Sequence, residues 1–138
     1  PNGVFYVDSL NRAQVKTTKE FLLLSEAEKG AIKLATQSGP MLLIDGKIHP
    51  RFNRWSESKK LRSGVGGFGD KVVFAITEGK TNFFTFASFF QDYFDCSNAL
   101  FLDGAISRMY LSDGVPKDTG GTFGPVISIS KKKYYTSI

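Results

Sequence analysis

The sequence predicts an α+β fold, a single domain in which a mixed β-sheet packs with a few helices. The chain has 138 residues, of which 41% are hydrophobic and 14% aromatic, enough to bury one sizeable core. Phenylalanine occurs 13 times against a single tryptophan, a composition that suits a sheet-containing core better than a helical bundle. Short apolar runs bounded by turn residues dominate the chain, and helical spacing is confined to two segments.

Strands are predicted wherever a short apolar run lies between turn residues. The predicted strands are residues 4–7, 13–16, 32–36, 41–44, 62–68, 71–77, 99–102 and 126–129. The Asp45-Gly46 pair predicts a two-residue hairpin turn that leads into residues 47–48. Residues 71–77 are apolar on both faces, which predicts a central position in the sheet, and residues 99–102 form a second strand of this kind.

The first helix is predicted to begin after a cap at Thr17 or Thr18 and to run through Ala27. Glutamates lie outside its apolar stripe. The stripe consists of Phe21, Leu22 and Leu24.

The second helix is the clearest periodic pattern in the chain and spans residues 83–94, after a cap at Thr81 or Asn82. Its predicted buried face consists of Phe83, Phe86, Ala87, Phe90 and Phe94. Residues 49–60 and the glycine-rich residues 112–125 have no stable period and are predicted as loops.

Charge and cysteine content exclude several classes of function. The net charge of +5, from 18 basic and 13 acidic residues, favours anionic ligands without singling out nucleic acid. No apolar run approaches the roughly 20 residues needed to span a bilayer, so no membrane span is predicted. Cys96 is the single cysteine, so the chain forms no internal disulfide and lacks the usual cluster of metal ligands. The sequence requires no cofactor and leaves a divalent cation open.

Basic side chains surround Phe52 and Trp55 in residues 49–62. One interpretation is a surface for single-stranded nucleic acid, with cations on phosphates and aromatic rings on bases. Another is a loop that binds a phosphorylated or sugar ligand, with Trp55 stacked on a sugar face. The third is a solvated basic loop with one hydrophobic anchor, and the composition favours this one.

Two patterns that suggest chemistry have simpler explanations. The GVGGFG run at residues 64–69 matches a dinucleotide fingerprint, but a strand follows it where a helix would be needed to receive the pyrophosphate. Glycines at a bend between two strands are the better interpretation. His49 is the only histidine, and no nearby residue pairs it with Cys96 or a nucleophilic serine. It is therefore interpreted as a loop residue before Pro50.

Three polar segments each lie beside an apolar strand: Gln37-Ser38-Gly39-Pro40, Arg62-Ser63-Gly64, and Asp103-Gly104 with Ser107. Because strand ends project side chains into a shared rim, these segments could meet in one pocket. Such a pocket would suit a sugar phosphate, with the arginine on the phosphate and the aspartate in acid–base or nucleophilic work. Asp-Gly and Ser-Gly-Pro are also common turns, so both interpretations stay open.

Several stretches of this chain occur in the same order in one known family. They are ATQSGPMLLIDGKIHPRF (35–52), LRSGVGGF (61–68), VVFAIT (72–77), the phenylalanine-rich helix, CSNALFLDGAIS (96–107) and FGPVISI (123–129). In these stretches the chain resembles the phosphodiester glycosidases, bacterial relatives of the lysosomal uncovering enzyme, N-acetylglucosamine-1-phosphodiester alpha-N-acetylglucosaminidase. The order of several matches, which together cover most of the chain from about residue 35, makes the resemblance specific.

The resemblance implies hydrolysis of a phosphodiester that joins the anomeric carbon of a sugar to another group. It implies that Asp103 is the nucleophile or the base that activates water, and that Arg62 stabilises the phosphate leaving group. It also implies a periplasmic, cell-envelope or secreted location, with glycan material as substrate. The expected substrate-binding residues are Gln37, Ser38, Ser63, Gly104 and Ser107, with Trp55 added from the sugar-binding interpretation of the loop.

Two departures from the family pattern bear on this expectation. Many relatives carry three glycines after the aspartate, whereas this chain has Gly104-Ala105-Ile106 before Ser107, which bulks the loop. The family's upstream Asn-Gly-Gly-aromatic segment is not found, and Asn2-Gly3-Val4-Phe5 is interpreted as a turn before a strand. Residues 1–138 are therefore expected to form the C-terminal portion of the domain, with an N-terminal fragment of the same precursor as a candidate partner.

The alternative function is a non-enzymatic binding module whose pocket holds an anionic glycan or a protein partner. The two functions make different predictions for Asp103. The enzyme requires the Asp103 carboxylate for turnover, whereas a binding module has no turnover to lose.

Overall fold

A computed structural model describes residues 2–104, 107–111, 124 and 126–130 and confirms the α+β class. Within these residues the chain forms eight strands and three helices. In chain order they are β1 Gly3–Asp8, β2 Ala13–Thr17, α1 Thr18–Leu22, α2 Glu26–Gly30, β3 Ile32–Ser38, β4 Met41–Ile44, β5 Lys47–Ile48, β6 Ser63–Phe68, β7 Lys71–Ile76, α3 Phe83–Phe94 and β8 Asn98–Asp103.

The strands form two antiparallel sheets where the sequence predicted one mixed sheet. The small sheet has the order β2-β1-β3, and the large sheet has the order β5-β4-β8-β6-β7. Two hairpins are present: β1 pairs with β2, and the predicted turn at Asp45 and Gly46 joins β4 to β5 with φ of 50° and 72°. The chain passes from the small sheet to the large one at Gly39-Pro40, which joins β3 to β4.

The large sheet is the middle of three layers. On one face, Phe5 and Val15 of the small sheet pack with buried residues of the large sheet. On the other face, α3 buries Phe86, Ala87 and Phe90. Residues of the large sheet in the first cluster are Met41, Val65 and Leu100, and those in the second are Leu42, Leu43 and Ala99. The fold therefore has two core clusters, one on each face of the large sheet.

Helix α3 has the predicted bounds. Asn82 is its N-cap, and the Asn82 side-chain oxygen accepts a hydrogen bond from the Thr85 amide at 2.9 Å. The helix ends at Phe94, and the capping residue after it, Asp95, adopts a left-handed conformation with φ of 49°.

The glycines of the GVGGFG run lie mainly within β6, which differs from the predicted bend. A Cβ atom on Gly66 would lie 2.5 Å from a ring carbon of Phe90 and 2.6 Å from Cys96 Sγ. Gly66 therefore allows α3 to approach the large sheet closely. The turn into β7 is made by Gly69, with φ of 57°. Because β7 follows the run, the structure agrees that it is not a dinucleotide fingerprint.

The predicted helix from residue 17 to residue 27 is wrong, since the chain forms two short helices there. Thr17 and Ser25 each begin a capping box, with Glu20 and Glu28 as the reciprocal residues. A second N-cap inside the predicted helix interrupts it. Leu22, part of the predicted stripe, is 65% exposed.

The predicted central position of β7 is also wrong, because β7 forms one edge of the large sheet. Val73 and Ala75 pack against the α3 cluster, and Val72 and Phe74 pack against the cluster beneath the small sheet. Both faces of β7 are therefore covered, which explains its two-sided apolar sequence. A strand that is apolar on both faces is covered by other elements on both faces. This pattern does not show whether the strand is central or at the edge of its sheet. Strand β8, also apolar on both faces, is central.

The predicted strand at residues 126–129 does not form. Val126 and Ile129 are each 81% exposed, and in the described part of the chain no strand pairs with them. An apolar segment forms a strand only where a neighbouring strand is available to pair with it. The predicted loop at 112–125 lies almost entirely outside the described residues. No helix in the described segments has the length and hydropathy to cross a bilayer.

The capping box of α1 predicts a pH-dependent part of the stability. The Thr17 hydroxyl and then the Thr17 amide, both bonded to the Glu20 carboxylate, lower the pKa of Glu20 below its ordinary value of 4.5. A lowered folded pKa stabilises the protein above pH 4.5, and this stabilisation is lost as the pH falls through the folded value. When the melting temperature is measured from pH 7 to pH 3, it should decrease less for Glu20→Gln than for the natural chain. An equal decrease in both proteins would contradict the prediction.

Candidate active site

Two serines from different sheets donate hydrogen bonds to the end of β8. Ser38, the last residue of β3, donates from its hydroxyl to the Leu102 carbonyl at 3.0 Å. Ser63, the first residue of β6, donates to the Asp103 carbonyl at 3.0 Å and pairs with Asp103 in the ladder. The structure thus brings together Ser38, Ser63 and Asp103, which lie far apart in the sequence.

Asp103 is exposed at the end of β8. Its Oδ1 accepts a hydrogen bond from the Gly104 amide at 2.5 Å. Gly104 is buried, and a Cβ atom there would lie 2.5 Å from the carbonyl oxygen of Leu61. The Asp-Gly pair therefore does two things: the glycine permits close packing of two backbone segments, and its amide orients the carboxylate.

Ser107 adds a second hydroxyl beside Ser63. Their Oγ atoms lie 2.6 Å apart, and the Ser107 amide donates to the Gly104 carbonyl at 3.3 Å. These contacts fold the chain back toward β6 after β8 ends. Ala105 and Ile106, where this chain departs from the family's glycines, lie outside the described residues. We call the group of Ser38, Ser63, Asp103 and Ser107 the serine–aspartate cluster.

Arg62 lies next to Ser63 in the sequence, but its described contacts are on the α3 side of the large sheet. Its guanidinium carbon is 3.6 Å from the ring centroid of Phe83. Its Nε donates to the Thr81 carbonyl at 2.8 Å, and its Nη2 donates to the Ser58 carbonyl at 3.0 Å. The residue is 3% exposed, and burial lowers the pKa of the guanidinium from its ordinary value. None of these contacts joins Arg62 to the serine–aspartate cluster.

The contacts of Arg62 predict a large part in stability. Arg62→Met should lower the free energy of unfolding by about 1–3 kcal/mol, because the Ser58 carbonyl loses its donor and the Thr81 carbonyl keeps only the Lys60 amide. Arg62→Lys should recover only part of this, since an ammonium group lacks the planar fork of the guanidinium. Chemical denaturation measures both effects. Two variants as stable as the natural chain would contradict this prediction and favour a guanidinium free to contact substrate.

The other two predicted binding residues also lie apart from the cluster. The Gln37 side chain is exposed and donates to the Thr18 hydroxyl at 3.4 Å, at the start of α1. Trp55 is 82% exposed, and its described hydrogen bond is from its amide to the Asn53 side chain at 2.9 Å. Neither contact points to the serine–aspartate cluster.

Asn2 is a neighbour of the site that sequence reasoning missed. A Cβ atom on Gly39 would collide with the Asn2 side chain, so Asn2 lies directly against the segment that follows Ser38. The Asn2 carbonyl also accepts a hydrogen bond from the Thr18 amide at 3.0 Å. Its sequence signal was the Asn2-Gly3 pair, which was interpreted only as a turn. Gly3 is instead a buried residue of β1.

The basic segment at residues 51–60 is fixed to the start of α3. The Asn82 side chain donates to the carbonyls of Arg54 and Ser56 at 3.0 and 3.1 Å. A small cavity of about 120 Å³ lies there, and a groove of about 280 Å³ lies between β7 and α3. The small cavity is lined by Arg51, Phe52, Asn53, Ser56, Ser58, Phe83 and Phe84. Neither space is lined by residues of the serine–aspartate cluster.

His49 and Cys96 have structural surroundings. The His49 ring packs 5.1 Å from the Phe52 ring, and burial is the main cause that lowers its pKa. Cys96 is buried beneath α3, and burial raises the pKa of its thiol to about 11. A thiol of that pKa is a poor nucleophile at neutral pH. Among the described residues, no group of three or more His, Cys, Asp or Glu side chains is arranged to hold a metal.

Comparison with known proteins relates this chain to a family and to a curated protein. A family described as phosphodiester glycosidase matches residues 1–128 of this chain. The chain is also 36% identical over 138 residues to a protein of Escherichia coli (strain K12) whose name is "Uncharacterized protein YigE". That alignment covers 96% of this chain and 50% of YigE, so the chain spans about half the length of the curated relative it matches.

Proposed function

This chain belongs to the phosphodiester glycosidase family, and from that premise we propose that it is a glycosidase-type hydrolase that cleaves sugar 1-phosphodiesters. The reaction transfers the sugar from phosphate to water, so the products are a free sugar and a phosphomonoester. We include in the proposal that the substrate is glycan material of the cell envelope or exported from the cell. We propose the same activity for a full-length protein of the size of YigE, of which this chain spans about half.

The observation that carries the proposal is the exposed Asp103 carboxylate at a strand end with serine hydroxyls around it. The Gly104 amide fixes the carboxylate at 2.5 Å, so its orientation does not depend on a flexible partner. The Ser63 hydroxyl donates its proton to the Asp103 carbonyl, so the Ser107 hydroxyl, 2.6 Å from Ser63, is the one that can donate to a non-bridging oxygen of a phosphate. A nucleophile or base and a phosphate-binding donor then lie within one small region.

The chemistry needs little acid catalysis. A phosphomonoester is already a good leaving group, so its departure depends mainly on stabilisation of negative charge. Asp103 then acts either as the nucleophile that attacks the anomeric carbon or as the base that activates water. The net charge of +5 favours approach of an anionic substrate.

The prediction that Arg62 is catalytic remains a proposal. The contacts of Arg62 support a different role, in which it positions its neighbours. Buried against Phe83 and bonded to two backbone carbonyls, Arg62 is suited to positioning residues 58–63. In this proposal Ser63 is held in place by its neighbour. Gln37 and Trp55 would contact only the outer parts of a larger substrate, since both are exposed away from the cluster.

Hydrolysis in ¹⁸O-labelled water tests the proposal directly. The purified protein is incubated with an N-acetylglucosamine 1-phosphodiester, and the products are analysed by mass spectrometry. The proposal expects a phosphomonoester without label and a sugar that carries ¹⁸O at the anomeric carbon. Label in the phosphate would show cleavage of the P–O bond and would overturn the glycosidase assignment. Saturable binding without turnover would favour the non-enzymatic binding module.

A further inference from the structure

Strand β7 exposes one side of its backbone. In an antiparallel pair, successive residues alternate between facing the partner strand and facing away from it. The Thr77 amide donates to the Arg62 carbonyl at 2.9 Å, directly after the end of β7. The amides and carbonyls of Val72, Phe74 and Ile76 therefore face away from β6. In the described part of the chain, β7 pairs with β6 alone.

The free edge of β7 lacks the features that normally prevent strand pairing. Such features are charged side chains, prolines, bulges and very short edge strands. Edge strand β5 has only two residues, and the edges of the small sheet, β2 and β3, carry Lys16 and Lys33 within them. In β7 the only charge is Lys71 at its first position, and five uncharged residues follow. Among the described sheet edges, β7 is the one suited to receive another strand.

The sequence of this edge is complementary to itself. Its outward residues are centred on Phe74, so a two-fold axis through Phe74 places Val72 opposite Ile76 of a second copy. Each of these residues then exchanges backbone hydrogen bonds with its counterpart, as in any antiparallel ladder. Lys71 lies opposite Thr77, so within residues 71–77 no like charges face each other. The first like-charged pair, Asp70 opposite Glu78, lies outside β7. We propose that two copies of this chain pair antiparallel through β7, joining their large sheets.

The groove beside β7 is suited to the same partner. It is open along the strand, and Ala75, Phe86 and Phe89 form its apolar part. In the two-fold register, Val73 of the second copy lies opposite Ala75, on the face that α3 covers. Its side chain, which packs against the α3 cluster of its own copy, would therefore border the groove of about 280 Å³. An apolar side chain of this kind contributes burial in addition to the backbone hydrogen bonds.

Ile76 is the residue at which the interface can be changed with least damage to the fold. It lines the groove and belongs to neither core cluster. Ile76→Lys should weaken self-association by about tenfold or more, because each copy would bring a charge to the paired edge. The matched control is Leu34→Lys, which places the same charge on an exposed residue of the small sheet, 48% exposed in β3.

Two measurements on the natural chain and these variants test the proposal. Sedimentation should show that the mass of the natural chain rises from one copy to two as its concentration increases. Leu34→Lys should behave in the same way, and Ile76→Lys should need a concentration about tenfold higher or more. Hydrogen exchange by NMR on the natural chain should show protection of the Val72, Phe74 and Ile76 amides that increases with concentration. This second measurement needs no variant, so a folding defect in Ile76→Lys does not remove the test.

Three results would overturn it. A folded Ile76→Lys chain that dimerises with the affinity of the natural chain would show that another surface associates. A monomer with these three amides protected at every concentration would show that a strand of the same chain covers β7. A monomer with the amides unprotected at every concentration would show that the edge stays free.

Discussion

Asp103→Asn is expected to reduce turnover of a sugar 1-phosphodiester by about 10²–10⁴-fold. The amide cannot act as a nucleophile toward the anomeric carbon or accept a proton from water. Its side-chain oxygen can still accept the hydrogen bond from Gly104, so the end of β8 should keep its conformation. The loss should therefore appear in kcat, while the free energy of unfolding changes by little.

The matched control is Asp70→Asn in the turn between β6 and β7. Asp70 is also an exposed aspartate next to a glycine and lies outside the serine–aspartate cluster. Its turnover should equal that of the natural protein. If Asp103→Asn keeps full turnover in the same assay, Asp103 is not catalytic, and its hydrogen bond to Gly104 is ordinary turn chemistry. Measured denaturation of both variants separates loss of catalysis from loss of fold.

The contact between Gly66 and Phe90 should have the largest effect on stability. Phe90→Ala should lower the free energy of unfolding by about 3–5 kcal/mol, because Phe90 is fully buried. Gly66→Ala should cost about 1–3 kcal/mol, because its methyl group would press into the Phe90 ring and the Cys96 sulfur. Once the ring is removed, the added methyl meets open space on that side. The double variant should therefore lose less than the sum of the single losses.

Gly67 supplies the control within the same strand. A Cβ atom on Gly67 has its nearest neighbours 3.9 Å away, which is ordinary contact. Gly67→Ala should leave stability within about 1 kcal/mol of the natural protein and can raise it, since alanine restricts the unfolded chain. Chemical denaturation of the four variants completes the comparison. If the stability losses of Gly66→Ala and Phe90→Ala are additive, the contact between the two residues is not what makes Gly66→Ala unfavourable. Helix α3 then shifts to make room for the added methyl group.

Sequence patterns predicted most of the local structure because local causes determine it. Helix α3 was predicted with both ends and with Asn82 as one of two candidate N-caps, since five apolar residues repeat at helical spacing after Asn82. The two helices before β3 were predicted as one, although the Ser25–Glu28 capping box marks a new start. Greater weight on capping, and less on the leucines, would have separated them. The edge position of β7 could not be predicted, because both faces of that strand are buried.

The site was predictable in its backbone positions and less so in its side chains. Ser38, Ser63 and Asp103 meet because each lies at a strand end, and strand ends can be located from the sequence. Arg62 was grouped with Ser63 because they are adjacent. The period of two in a strand already places neighbouring side chains on opposite faces, and Arg62 does contact α3. The position of Asn2 beside Gly39 depends on sheet register, which no single stretch of sequence contains.

The serine–aspartate cluster draws on both sheets, since Ser38 belongs to the small sheet while Ser63 and Asp103 belong to the large one. A ligand that contacts all three can bind only when the two sheets are packed together. Its binding energy is then added to the cohesion between the layers, by about 2.7 kcal/mol at a hundred times its dissociation constant. Ligand binding and the packing of the two sheets are thus thermodynamically coupled. A ligand would stabilise the packed sheets, and any change that strengthens their packing would raise the affinity for the ligand.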